Sequence, residues 1–156
     1  MRYEKIIMVS KDGTYRAPAS AAVMRKQIGM KAKVEARGLV VLLPEPVNPK
    51  GVATAISRGY HPTEAVSKLL TEEDFAIDTL ILVMTERLKQ QIYDTFKNAL
   101  NVYTLKEFAG AQGDIDTPFG KNMEEYMENF EQLEEWVNKA AELLNENKKI
   151  QNGGRI

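Results

Sequence analysis

The sequence contains no cysteine among its 156 residues. Disulfides, thiolate metal ligands and every mechanism with a cysteine nucleophile are thereby excluded. There is a single histidine, His61, in a Tyr-His-Pro stretch with no second soft ligand beside it. It reads as an exposed loop residue, and neither a metal nor any other cofactor is expected. No run of about 18 apolar residues occurs, so no membrane span is indicated. Neither sign of charge dominates. The formal net charge of −1 gives no electrostatic case for nucleic acid or an anionic membrane. Met1 to Lys5 leads straight toward a short strand and lacks the apolar region and cleavage site of a signal peptide, so a cytoplasmic location is expected. There is no internal repeat and no low-complexity segment. What is present, 44% apolar and 28% charged residues, suits one soluble globular domain. No feature specifies an oligomeric state.

The chain alternates apolar runs with helical patterns. Lys5 to Val9 is a continuous apolar run that suits a central parallel strand. Pro18 opens a first helix running to Gln27, with Ala22, Val23 and Met24 inward and Gly29 as its stop. Lys33 to Leu43 holds the second strand, where alternation merges into a solid apolar block. The prolines at 44, 46 and 49 enforce a loop. A second helix spans Lys50 to Arg58, with Val52, Ala55 and Ile56 inward. Thr71 can cap a short acidic turn through Asp74. Thr79 to Met84 is the third strand. Thr85 caps a helix that buries Leu88, Ile92 and Phe96, and Asn101 to Leu105 is the fourth strand. After a Gly-rich loop from Gly110 to Gly120, a last helix spans Asn122 to Asn147. Met123, Tyr126, Met127, Phe130, Leu133 and Val137 mark its apolar face. Alternating strands and helices predict an α/β fold: one domain over residues 1–147, three layers (α/β/α) around a four-stranded parallel sheet, then a disordered tail over 148–156.

In such a fold ligands sit beyond the carboxyl ends of the strands. The stretch Ser10-Lys11-Asp12-Gly13-Thr14-Tyr15-Arg16-Ala17 joins the first strand to the first helix at that edge. Backbone N–H groups of such a loop, with a helix N-terminus behind them, form an anion site. Ser10 and Arg16 bring a hydroxyl and a fixed cation to the same concavity, so a phosphate or another oxyanion is the expected ligand.

Further residues carry a family resemblance. Ile7-Met8-Val9 precedes the loop and Arg16-Ala17-Pro18 closes it. Leu70 to Phe75, Asp78 to Thr85, Thr104-Leu105-Lys106-Glu107, and Gly113-Asp114-Ile115 through Pro118-Phe119-Gly120 follow in order. Together these resemble the low-molecular-weight protein-tyrosine-phosphatases, most of all the bacterial branch that includes protein-arginine phosphatases. The resemblance runs from Lys5 to about Lys148. It implies a loop reading Cys-x5-Arg-Ser-Pro, in which the cysteine attacks phosphorus, the arginine clamps the oxygens and the serine stabilises the thiolate. It also implies a late Asp-Pro pair whose aspartate protonates the leaving group. Carried onto this chain, Ser10 holds the nucleophile position, Arg16 the clamp, Ala17 the thiolate-stabilising position and Thr117 the acid position. Only Arg16 matches. Tyr15 stands where the family has a second cysteine, and Asp12-Gly13 replaces its Gly-Asn. Thr14 matches the arginine-phosphatase branch. Val41 stands near the position of the aromatic that tyrosine-specific members carry. Arsenate reduction on the same fold needs redox cysteines and is excluded.

A thiolate at a helix N-terminus is a strong nucleophile, whereas a serine there needs a base beside it. The sequence places none next to Ser10, which favours a hydrogen-bonding role. Asp116, one residue before the acid position, is a candidate substitute acid; a turn-stabilising aspartate is the alternative. Arg16 either binds an anion or pairs with Asp114 or Asp116. Asp114 reads as structural. The expected function is a catalytically inactive member of that family, a pseudophosphatase. It keeps a loop for phosphate or a phosphoprotein and works through a protein partner. The alternative is an active tyrosine or arginine phosphatase, with Ser10 a replaced cysteine or an unorthodox nucleophile. A replaced cysteine would account for Ser10 alone, and Tyr15, Asp12, Ala17 and Thr117 favour natural degeneration.

Overall fold

Four apolar strands form one parallel sheet in the order β2-β1-β3-β4. They are β1 (Lys5–Ser10), β2 (Lys33–Gly38), β3 (Thr79–Val83) and β4 (Val102–Thr104). Ile6 to Val9 and Leu80 to Val83 are fully buried, as strands covered on both faces must be. The structure, a computed structural model, describes residues 2–118 and 122–153, with side chains through Glu146. The helices are α1 (Arg16–Ile28), α2 (Pro49–Ser57), α3 (Glu86–Thr95), α4 (Leu105–Phe108) and α5 (Met123–Gly153). α5 packs on α1, α2 and α4, and α3 lies against β3 and β4. Phe130, Leu133 and Val137 of α5 are wholly buried. The expected α/β fold with a four-stranded parallel sheet is what is observed. Among the described residues no helix is long and apolar enough to cross a membrane.

The register positions the site. Ser10 lies opposite Gly38, Val9 opposite Val83, and Val83 opposite Thr104. The carboxyl ends of all four strands therefore meet at one edge. The chain moves from β1 outward to β2, then returns to β3 on the other side of β1. The β1–β3 gap is thus the point where strand order reverses, and such a point opens a crevice for a ligand.

Several boundaries differ from the sequence-based expectation. β2 ends at Gly38, not Leu43. Beyond Gly38 the Leu39 and Val40 amides donate to the Ser10 and Lys11 carbonyls at 3.1 and 2.8 Å, so the chain folds over the β1 loop instead of extending the sheet. The apolar block that looked like strand is surface, with Leu42 93% and Leu43 77% exposed. β4 stops at Thr104, and Leu105 opens α4 through a reciprocal cap between Thr104 and Glu107. α1 begins at Arg16, which places Pro18 inside its first turn, where the missing N–H still costs nothing. Ile56 is 53% exposed and Met123 is also exposed, so both lie at the margin of their helices' apolar stripes. Phe96 is half-buried at the end of α3. α5 runs on to Gly153, past the expected end at Asn147 and into the expected tail. The expected cap at Thr71 is present, reciprocated by Asp74.

β2 is anchored by charge. Arg37 is buried and donates to Asp74 at 3.4 Å and to Glu35. Glu35 also pairs with Lys33 at 3.1 Å and Lys5 at 3.3 Å. Burial pushes the Glu35 carboxyl up, but Lys33, Arg37 and Lys5 together hold it down at about 2. A carboxyl lowered by folding stabilises above its unfolded value and loses that stabilisation as pH falls toward its folded one. Glu35 is partly wet, which reduces the effect to about 2 kcal/mol. Glu35→Gln is therefore expected to cost about that much at pH 7 and to flatten the acid loss of stability between roughly pH 4.5 and 2. Urea denaturation at pH 7 and pH 3 checks both.

Candidate functional site

The β1–α1 loop is built around one oxygen. Ser10 is the last residue of β1 and is buried. Its Oγ accepts the N–H of Gly13 at 3.2 Å and the N–H of Ala17 at 3.3 Å. Two amides, one of them in the first turn of α1, thus aim at the position-10 side chain, an environment suited to a negative atom. A neutral hydroxyl uses it only as a hydrogen-bond acceptor. Among the described residues no carboxylate or imidazole hydrogen-bonds Ser10, and His61 is exposed in the loop after α2.

Each further loop residue has a definite place. Lys11 is exposed. The Asp12 carboxylate accepts the Thr14 N–H at 3.0 Å and the Thr14 hydroxyl at 2.8 Å. It therefore occupies a donor that a bound oxyanion would otherwise use. Gly13 has φ 72, a left-handed conformation that glycine adopts without cost. The Tyr15 ring lies in the core instead of the concavity, so only its backbone belongs to the loop. It packs edge-on against Tyr126 with centroids 4.9 Å apart, and its hydroxyl donates to the Tyr126 carbonyl at 3.4 Å. Burial, with Tyr126 adding to it, raises the Tyr15 phenol well above its usual value, so the phenol stays protonated. Ala17 is fully buried.

Arg16 is half-buried at the start of α1, and its Nη1 donates to the Ile115 carbonyl at 2.8 Å. The acceptor is thus the backbone between the two aspartates that the sequence offered as ion-pair partners. Burial pushes the guanidinium down, and Asp12, Asp116 and Asp114 oppose it; an arginine stays protonated regardless. The Ile115 N–H donates to the Met84 carbonyl at 2.9 Å, and the Asp114 carboxylate accepts the Glu86 N–H at 2.9 Å. Asp114 thereby caps α3, the structural role expected of it. Asn129 Nδ2 donates to the Asp116 carbonyl at 2.6 Å. These bonds carry the late loop over the β1–β3 gap. Phe119 and Gly120 lie outside the described residues.

Between the two loops is a cleft of about 280 Å³. Lys11, Arg16, Thr85, Arg87, Asp116 and Thr117 all line it. The structure thus brings the loop arginine, the acid position and the candidate substitute acid to one concavity. Arg87, an exposed residue of α3, was not singled out from the sequence. The usable signal was its position just after β3, whose carboxyl end shares this edge. Three cations and a helix N-terminus fit an anion. Among the described residues no cluster of three or more metal-ligating side chains occurs.

Residues 5–150 match the family model described as low molecular weight phosphotyrosine protein phosphatase. The chain is 31% identical over 129 residues to the low molecular weight protein-tyrosine-phosphatase PtpB of Staphylococcus haemolyticus, covering 83% of this chain and 91% of that one. It is 30% identical over 154 residues to the protein-arginine-phosphatase of Bacillus subtilis, covering 92% and 99%. Among solved structures, the arginine phosphatase YwlE of Geobacillus stearothermophilus superposes with a TM-score of 0.84 at 26% identity, covering 92% of this chain and 94% of that one. A cysteine-to-serine mutant of YwlE with a phosphorylated active-site serine superposes with a TM-score of 0.82 at 28% identity, covering 93% and 98%. The chain belongs to the low-molecular-weight phosphotyrosine protein phosphatase family.

Proposed function

We propose that this member of the family binds a phosphorylated ligand, a phosphoprotein among them, in the Arg16 cleft without hydrolysing it. One observation carries the reading. Arg16 and Thr117, the positions the resemblance gives to the clamp and the acid, line one cleft, and among the described residues the Ser10 Oγ is hydrogen-bonded by two amides and by no carboxylate or imidazole. Arg16 offers the ligand its remaining guanidinium N–H groups; Lys11 and Arg87 supply further positive charge.

Phosphate, sulfate and vanadate are expected to raise the melting temperature of the unchanged protein. Saturation to about 100 times Kd corresponds to about 2.7 kcal/mol, or roughly 5–10 °C for a chain of this size. Arg16→Ala abolishes the shift, and Arg16→Lys keeps only part of it because the planar fork is lost. Thermal denaturation with each anion is the measurement. No shift in the unchanged protein overturns retained binding. Turnover of p-nitrophenyl phosphate or phosphoarginine that disappears in Ser10→Ala overturns the non-hydrolytic reading.

A second reading rests on the YwlE mutant with the phosphorylated serine. A serine at the family's nucleophile position was phosphorylated there, and Ser10 stands at that position with two amides on its Oγ. On this reading Ser10 accepts a phosphoryl group once from a phosphoarginine. Oγ–P forms, N–P breaks, the hydroxyl proton leaves to solvent and the guanidine departs. The phosphoserine then persists because, among the described residues, no carboxylate or imidazole hydrogen-bonds Ser10 to drive its hydrolysis.

A further inference from the structure

A groove of about 770 Å³ lies beside the anion cleft. Its volume is within the roughly 300–1,000 Å³ of pockets that enclose small ligands. The floor is apolar, formed by Leu39, Val40, Leu69, Leu70 and Phe96. Its rim is acidic: Glu72, Glu73 and Asp94 line it, and all three are exposed. Asp94 accepts a hydrogen bond from Gln90 at 3.0 Å. None of the three carboxylates takes part in an ion pair among the described residues.

Two features tie the groove to the cleft. Gln91 lines both. The Leu39 and Val40 amides bond the Ser10 and Lys11 carbonyls, so the floor is held in fixed register with the loop. The apolar surface also continues outward, since Val40 is 51% exposed and Leu42 and Leu43 lie beyond it. A contiguous exposed apolar patch with a polar rim marks an interaction surface. The charge pattern is two-signed: Lys11, Arg16 and Arg87 outnumber Asp116 in the cleft, and only carboxylates carry charge in the groove.

We propose that the groove docks a segment of a partner protein bearing aliphatic and cationic side chains, adjacent to a phosphoryl group held in the Arg16 cleft. The proposal deepens the phosphate-binding reading and rests on it for the phosphoryl half alone. Aliphatic side chains cover Leu39, Val40, Leu69 and Phe96. Lysine or arginine side chains meet Glu72, Glu73 and Asp94. The opposite charges of cleft and rim set the polarity of the segment and reject acidic sequences.

The test is fluorescence anisotropy with labelled peptides. One alternates leucine and arginine around a central serine, a second replaces arginine by glutamate, and a third replaces leucine by glycine. The first is prepared with and without phosphoserine. The unphosphorylated leucine–arginine peptide is expected to bind about tenfold more tightly than either control. Glu72→Lys combined with Glu73→Lys should reverse the preference toward glutamate, and Val40→Asp should erase the advantage of leucine. All these positions are exposed and spare the Thr71–Asp74 cap, so unchanged melting temperatures confirm folding. Phosphorylation of the serine tightens binding in the unchanged protein but not in Arg16→Ala. Equal binding of the leucine–arginine peptide and its controls overturns the proposal, as does a preference that survives charge reversal. A dimer in sedimentation that Val40→Asp dissolves overturns it in favour of a second copy of this chain. A charge preference without any gain from phosphorylation leaves the groove standing and sinks the phosphate reading of the cleft.

Discussion

Ser10→Cys, Ala17→Ser and Thr117→Asp together are expected to raise hydrolysis of p-nitrophenyl phosphate by about three to four orders of magnitude over the unchanged chain. The substitutions at positions 10 and 117 meet prepared environments. A position-10 sulfur would replace an oxygen that already accepts the Gly13 and Ala17 amides at 3.2 and 3.3 Å. Such donors at a helix start lower a thiol's pKa and yield the thiolate. A serine at position 17 adds a hydroxyl on the residue whose own amide reaches position 10. Thr117 is exposed and lines the cleft, so a carboxyl there needs no repacking and restores a general acid, which supplies about 10²–10⁴ in rate. Arg16 needs no change. Steady-state release of p-nitrophenol measures the result, with Ser10→Cys alone well below the triple variant. A triple variant that melts normally yet stays inert would falsify persistence of the ancestral geometry. In that case Asp12 is the suspect, since its carboxylate holds the Thr14 donors, and adding Asp12→Gly should release them. The unchanged protein, incubated with phosphoarginine in the same series and weighed intact, gains one phosphoryl group on Ser10 only if the acceptor reading holds.

Gly38→Ala is expected to be heavily damaging for a single added methyl at the chain's functional edge. A Cβ there would lie 2.6 Å from the Asp12 carbonyl carbon, 2.7 Å from its oxygen and 2.8 Å from the Gly13 nitrogen. All three are backbone atoms, so relief requires the loop to move away from β2. Overpacking of this kind costs about 3 kcal/mol, or roughly 6–12 °C in melting temperature for a chain of this length. Gly13→Ala meets the same contact from the other side, at 2.8 Å from the Gly38 nitrogen, and adds about 1–2 kcal/mol for its left-handed φ. The two variants share one contact, so their costs should not add. Differential scanning calorimetry of both single variants and the double variant measures this. A Gly38→Ala protein that melts like the original would show that loop and strand are not locked together.

The sheet was legible because a strand covered on both faces is a solid apolar run, as in Ile6–Val9 and Leu80–Val83. The loop was legible because a short polar stretch between such a strand and a helix has few other uses. Leu39 to Leu43 misled for a related reason: apolar composition does not report that the backbone has exchanged sheet partners for the Ser10 and Lys11 carbonyls. α4 is only four residues long, below the reach of periodicity, although its Thr104–Glu107 cap could have been read. Ile56 and Met123 show that a helical period gives the direction of the apolar stripe but not its width. In the site, Arg16 was found by residue type. Its anchor was not, because a backbone carbonyl such as that of Ile115 leaves no trace in a sequence.

The packing of Tyr15 has a further consequence. With Ser10, it fills the two loop positions where the resemblance places thiols. Thiolates are what peroxide attacks, passing through sulfenic to sulfinic acid. A hydroxyl and a buried phenol are not on that ladder. Peroxide that oxidises a thiolate at such positions would leave this loop chemically unaltered, so the loop is insulated from the redox state around it.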